Sequence, residues 1–253
     1  MGSALVHGCL RSGMAPSKLG VVEKLASLRA ELSVRFPEVE VFESPEATRG
    51  AVIAVKPADV ADACAALAAV RCPRVLSIAA GVTTARLAEL LGPTVAVVRA
   101  MPNMPALVGE GASAVSAGPG AAESDLWWAE GILGSMGVVV RVAEKHLDAV
   151  TGLSGSGPAY VFLLAEAMIE GGVLVGLDRD VSRRLVAQTL LGSACLLAGN
   201  DGDPEDPAEL REAITSPGGT TAAALRSLDA AGFRSAVIEA IAAATQRSAE
   251  LGA

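Results

Sequence analysis

Aromatic side chains are scarce in this sequence, 3% of 253 residues, so Ala, Val and Leu must fill its core. A shortage of large rings suits close-packed helices and a buried parallel sheet, where small and β-branched side chains fit. Basic clusters are also missing, and the formal net charge is −8. Nucleic-acid binding gathers Lys and Arg against phosphates, so no nucleic acid is expected as a partner. The four cysteines, Cys9, Cys64, Cys72 and Cys195, form no Cys-x-x-Cys pair and have no histidine cluster beside them. That argues against a zinc site or any other metal and against a disulfide frame; it predicts reduced, half-buried thiols in a cytoplasmic protein. No charged segment followed by an apolar run opens the chain, so no secretory leader is expected. The most apolar stretch, Pro158 to Leu177, has about the length of a membrane span. Glu166 and Glu170 sit in its middle, and charges are expensive in hydrocarbon. A helix buried inside protein, with no membrane partner, is the expectation.

What is present is order. Up to Val142, short β-branched runs alternate with helical segments. The pattern predicts strands at Leu19–Val22, Val39–Phe42, Ala51–Val55, Val75–Ile78, Val95–Val98, Ala112–Ser116 and Val138–Val142. Helices are predicted between them at Gly2–Arg11, Lys24–Arg35, Ala58–Val70, Thr84–Leu91 and Ala122–Met136. Near-continuous apolar strands joined by helices imply a parallel sheet covered on both faces. After Glu144 only helical runs remain: Gly157–Val175, Arg179–Ala198, Pro207–Thr215, Thr220–Ala230 and Phe233–Leu251. The fold class is therefore α/β, a doubly wound, Rossmann-like dinucleotide-binding domain over residues 1–148, followed by an all-α domain over 149–253. The acidic Asn200–Asp206 stretch is expected to be a solvated loop.

Parallel α/β domains bind dinucleotides at a Gly-rich turn before the first helix, with an acidic residue about twenty positions on for the adenosine ribose. Here a helical pattern starts directly after Met1-Gly2, and Glu23 stands at that distance from Gly2. Glu23 reads equally well as a cap of the next helix. No strand precedes Met1-Gly2, which predicts a gap of about two strand spacings in the sheet.

Four further segments are candidates. Ala54-Val55-Lys56-Pro57 leaves a strand and enters a helix at the sheet's carboxyl edge, where ligands bind; alone it reads as a plain strand–helix turn. Met101-Pro102-Asn103-Met104-Pro105 follows a strand in a stiff loop, in which Asn103 either offers its amide to a nicotinamide or closes the turn. Leu153-Ser154-Gly155-Ser156-Gly157-Pro158-Ala159-Tyr160 is read as a helix start with open backbone N–H groups, an anion site. Ser216-Pro217-Gly218-Gly219-Thr220-Thr221 repeats that arrangement before another helix. A simple Ser cap is the competing explanation for each, but capping does not require so much glycine.

Ala54–Pro57, Met101–Asn103, Ser154–Tyr160 and Ser216–Thr221 resemble, in order and spacing, the motifs of the pyrroline-5-carboxylate reductase family. The similarity runs from Met1 almost to the C-terminus, and Met1-Gly2 looks like the tail of the family's Gly-x-Gly-x-Met-Gly turn. It implies an NADPH- or NADH-dependent reduction of the cyclic imine 1-pyrroline-5-carboxylate to L-proline. It also implies cofactor binding by Met1, Gly2, Glu23, Lys24, Ala54, Val55, Lys56, Pro57, Asn103, Ser154 and Gly155. Substrate binding falls to Ser216, Gly218, Gly219, Thr220 and Thr221, with Thr221 hydrogen-bonding the ring nitrogen as the catalytic residue. The helical domain would serve dimerisation, in a homo-oligomer of dimers assembled into a decamer. One departure is Val22-Glu23-Lys24, where many members carry an Asn-Arg pair that favours the NADPH phosphate; cofactor preference stays open. Hydroxyacid dehydrogenases of similar architecture use a helical-domain lysine, and residues 151–253 contain none. A catalytically impaired oligomeric or regulatory relative, its fingerprint incomplete, is the alternative.

Overall fold

A computed structural model describes residues 1–199 and 203–252, so the expected Asn200–Asp206 loop falls partly outside the described residues. The chain forms two compact units, Met1–Ser156 with Ile241–Ala253, and Gly157–Ala240.

In the first unit the expected strands form where β-branched residues alternate. They are β1 (Gly20–Val22), β2 (Glu40–Phe42), β3 (Ala51–Ile53), β4 (Arg74–Ser77), β5 (Ala96–Met101), β6 (Gly111–Ala117) and β7 (Gly137–Arg141). Helices α1 (Gly2–Arg11), α2 (Ala26–Arg35), α3 (Val60–Ala69), α4 (Thr84–Leu91) and α5 (Glu123–Leu133) lie between them. β1 and β2 make a parallel pair, and β3-β4-β5-β6-β7 make a second sheet. Among the described residues no strand joins β1 to β3. Alternation along the strands sends Val75 and Val97 to one face, against Val60, Cys64, Leu67 and Leu87 of α3 and α4. Leu76 and Val98 go to the other, against Leu5 and Cys9 of α1 and Leu133 of α5. This is the period-two pattern of strands covered on both faces. Helix α1 serves both sheets, because Val6 on its other side packs with Phe36 and Val39 of the β1–β2 layer. At the start of β4, Arg74 sets its guanidinium 4.5 Å from the Trp128 ring of α5.

The expected all-parallel sheet is corrected at β6, which runs antiparallel to β5. Only residues 102–110 connect the two, too few for the dozen-residue crossover that a parallel partner needs. α5 supplies such a crossover, and β7 returns parallel to β6.

The second unit consists of α7 (Gly157–Leu174), α8 (Arg179–Ala198), α9 (Pro207–Ala213), α10 (Thr220–Ala230) and the first part of α11 (Phe233–Gly252). Asp178 and Asp206 accept from Asp180 N and Ala208 N and so cap α8 and α9. Two expectations change. The division lies at Ser156/Gly157, not at Asp148, and residues 241–253 return to the first unit. There Ser248 donates to Asp148 at 2.7 Å. α7, expected to be a buried helix, has no buried residue; Leu163 is 67% exposed. Its apolar residues surround the helix, and the helices of one chain cover only part of them.

Candidate active site

The carboxyl edge of the first unit gathers several of the expected residues. α1 starts at Gly2 with no side-chain cap and no acidic residue in its first turn. Uncapped N–H groups and the helix dipole make that end receptive to a phosphate. Gly2 lies beside the end of β3: a Cβ on it would stand 3.7 Å from the Ala54 Cβ. Val55 and Lys56 continue from there, exposed, and Pro57 opens a 3-10 turn into α3. The structure thus brings Met1, Gly2 and Ala54–Pro57 to one edge.

Glu23 and Lys24 follow β1. The Glu23 carboxylate accepts from the Leu25 amide at 2.9 Å, just ahead of α2. Lys24 pairs with Asp62 of α3 at 3.0 Å and so ties the β1 end to the element after β3. Arg29 donates to the Glu23 and Lys24 carbonyls at 2.9 and 2.6 Å and approaches Glu43 at 3.3 Å.

Asn103 is buried and bifunctional. Its Oδ1 accepts from Ala112 N at 2.8 Å, at the start of β6, and its Nδ2 donates to the Ser154 carbonyl at 3.1 Å. A carboxamide carries two N–H bonds, so one remains for another acceptor. Met101 lies next to Gly155, where an added Cβ would come within 2.8 Å of its methyl. Met101, Asn103, Ser154 and Gly155 therefore meet.

The open helix start expected over Ser154–Tyr160 is not there. A short helix α6 (Leu147–Val150) already precedes it and passes through a π-helical turn, Thr151–Gly155, towards α7. Ser156 N donates to Thr151 O at 2.8 Å and Ser154 Oγ to Val150 O at 3.1 Å. These groups are spent within the helix. What Ser154 and Gly155 present is a wide helical turn, a feature concentrated at functional sites.

The Ser216–Thr221 turn leads directly into a helix, as expected. Gly218 has φ +69°, a backbone conformation that side chains with a Cβ avoid. A Cβ on Gly219 would run into Ser216 Oγ. Gly219 N closes the turn on Ser216 O at 3.0 Å, and α10 follows without a side-chain cap or an acidic residue in its first turn. Thr151, Thr189, Thr215 and Thr245 each donate to the carbonyl four residues back. The Thr221 side chain, in a first turn, makes no hydrogen bond among the described residues. Its hydroxyl is half-buried and available.

One further cluster escaped the sequence reading. The Glu144 carboxylate accepts from Thr84 N at 2.7 Å, Thr84 Oγ1 at 2.6 Å and Arg99 Nη1 at 3.1 Å. Burial opposes its ionisation, but the Thr84 hydroxyl and amide and the Arg99 guanidinium outweigh that and hold its pKa below the ordinary value. It fixes the start of α4 to the strand β5 and to the segment leading into α6. His7 and His146 are exposed.

Residues 144–251 match the family model for the pyrroline-5-carboxylate reductase dimerisation domain. The pyrroline-5-carboxylate reductase of Mycobacterium tuberculosis is 41% identical, with 99% of this chain and 93% of that protein aligned. That of Pseudomonas aeruginosa is 39% identical over the same shares. The chain belongs to the pyrroline-5-carboxylate reductase family. Among solved structures, the Coxiella burnetii pyrroline-5-carboxylate reductase superposes with a TM-score of 0.92 at 31% identity, covering 100% of this chain and 95% of that one. The Plasmodium falciparum pyrroline carboxylate reductase, solved with NADP bound, gives 0.83 at 31% identity over the same shares. In this chain, Asp62, Arg29 and Glu43 are edge residues that the sequence reading missed. Their partners lie 38, 6 and 14 positions away, and no local spacing signals them.

Proposed function

We propose that this chain reduces 1-pyrroline-5-carboxylate to L-proline with NADPH or NADH, as an imine reductase of proline biosynthesis. The observation that carries this is the Ser216–Thr221 turn. Gly218 is held at a positive φ, a Cβ on Gly219 would crowd Ser216, the helix behind it is uncapped, and the Thr221 hydroxyl is unspent. Such a turn offers amides to a carboxylate and a hydroxyl to a ring nitrogen.

The chain's own residues hold and orient. The Gly218 amide and the uncapped first-turn amides that Thr220 opens, with the Ser216 hydroxyl, take the substrate carboxylate, while Gly219 closes the turn on Ser216 O and holds its shape. Thr221 hydrogen-bonds the imine nitrogen. A threonine hydroxyl is too weak an acid to protonate that nitrogen unaided, so it orients the nitrogen or passes a proton from water. The reduced nicotinamide, when bound, supplies the hydride that adds to the imine carbon. In the first unit the uncapped α1 start and Gly2 suit a pyrophosphate. Glu23 and Lys24 serve the adenosine ribose, Ala54–Pro57 the same edge, and Asn103, Ser154 and Gly155 the nicotinamide side. Placement of two reactants can lower a barrier by about 7–11 kcal/mol, so no covalent nucleophile is needed.

The apolar faces of α7 and α8 are covered by a second copy of the chain, and the dimers assemble into a decamer. Support comes from the matched dimerisation domain and from Leu163, Leu174 and Leu185, all exposed in one chain. α7 with the segment before it is long and apolar enough to cross a membrane by length and composition; a protein partner suits Glu166 and Glu170 better. Buried, unbridged Cys9, Cys64 and Cys72 support a cytoplasmic location.

The test is pyrroline-5-carboxylate-dependent oxidation of each nicotinamide by the whole chain. Turnover is expected, and Thr221→Ala is expected to cut it by about tenfold or more with melting unchanged. An unaltered rate would remove Thr221 from its role, and no turnover with either cofactor would remove the function.

A further inference from the structure

The charges at the carboxyl end of β1 are matched unevenly. Lys24 is paired with Asp62 at 3.0 Å. Arg29 is held by Glu43 and by two backbone carbonyls, those of Glu23 and Lys24. Both cations are therefore already balanced by carboxylates. Glu23 has no cation facing it: its Oε1 takes the Leu25 amide at 2.9 Å, and its Oε2 has no partner among the described residues. Among these five side chains at the end of β1, three carboxylates stand against two cations, one net negative charge.

A ribose 2′-hydroxyl brings an O–H donor that a free carboxylate oxygen accepts. A 2′-phosphate brings about −1.5 to −2 charges and acceptors only, and the same oxygen repels it. The Rossmann arrangement places a ribose at the end of the strand after the first helix, which here is β1. We propose that this chain prefers NADH to NADPH, with Glu23 as the residue that sets the preference and the Lys24–Asp62 pair withholding the cation that would draw a phosphate. The inference rests on the cofactor reading of this edge given above. Lys24 and Asp62 are both largely exposed, so that pair is weak, and the weight falls on Glu23.

The test compares kcat/KM for NADH and NADPH in the natural chain, Glu23→Gln and Asp62→Asn, with pyrroline-5-carboxylate saturating. Glu23→Gln keeps the length of the side chain and an acceptor for Leu25 N, so a melting curve should be unchanged while the charge is gone. NADH is expected to be favoured by about tenfold or more in the natural chain. Glu23→Gln should move the ratio towards NADPH by about the same factor, and Asp62→Asn should move it the same way by less. The natural preference should narrow as salt rises from low to physiological strength, because exposed charges are screened. A natural preference for NADPH, or a ratio that Glu23→Gln leaves in place, overturns the inference while the reductase assignment stands. Failure to oxidise either cofactor removes both.

Discussion

The first unit buries three apolar clusters of its own, whereas the second, residues 157–240, buries only Ser182 and Val186 among its described residues. Both are rich in Ala, Val and Leu, so composition does not separate them. Arrangement does. In the first unit period-two strands turn alternate residues to two helical layers, and each apolar side chain finds a neighbour within the chain. In the second, α7 is apolar around its whole circumference and α8 covers one side of it. A helix of that kind belongs in the interior of something larger, here an assembly of copies.

Opposite responses to substitution would sharpen the contrast. The largest effect is expected from Leu163→Glu on α7. A carboxylate in an interface without a partner costs several kcal/mol, so sedimentation should report loss of assembly. An oligomer that survives would break the comparison by leaving that face uncovered. Leu133→Ala, in the closed core of the first unit and 0% exposed, should lower unfolding stability by about 2–5 kcal/mol and leave the oligomer formed. A smaller effect is expected at Glu144. Its pKa is depressed in the folded chain, so its contribution is fully present above the ordinary carboxyl range and lost as pH falls through the folded value. Denaturant titrations against pH should show that acid loss, and Glu144→Gln should flatten it. An unchanged acid limb in the variant would mean that the Thr84–Glu144–Arg99 cluster carries no stability.

Much of this was legible in the sequence, because β-branched runs and helical periods report burial directly. All seven strand segments formed, and α1, α4, α8 and α10 begin and end at the residues expected. The direction of β6 was not legible, since alternation is the same for either direction and only the short 102–110 connection betrays it. Nor was the continuous helical path through 147–156. Gly155 and Gly157 read as part of an open helix start, and the close packing at Gly152, where a Cβ would strike Thr245 and the Ile241 carbonyl, is set by residues about 90 positions away. The Ser216–Thr221 turn was visible because its paired glycines exceed what a cap requires, and the backbone does hold Gly218 at a positive φ. Asn103 was visible as a candidate but not in its work, since its partner Ser154 lies 51 positions away.

The central claim is that a carboxylate on a small ring is gripped by the backbone before α10. A crystal of the whole chain soaked with L-proline tests it most directly. The account predicts the carboxylate within hydrogen-bonding reach of the Gly218 amide and the first-turn amides of α10, with the ring nitrogen near Thr221. Proline bound elsewhere, with that turn empty, would contradict it.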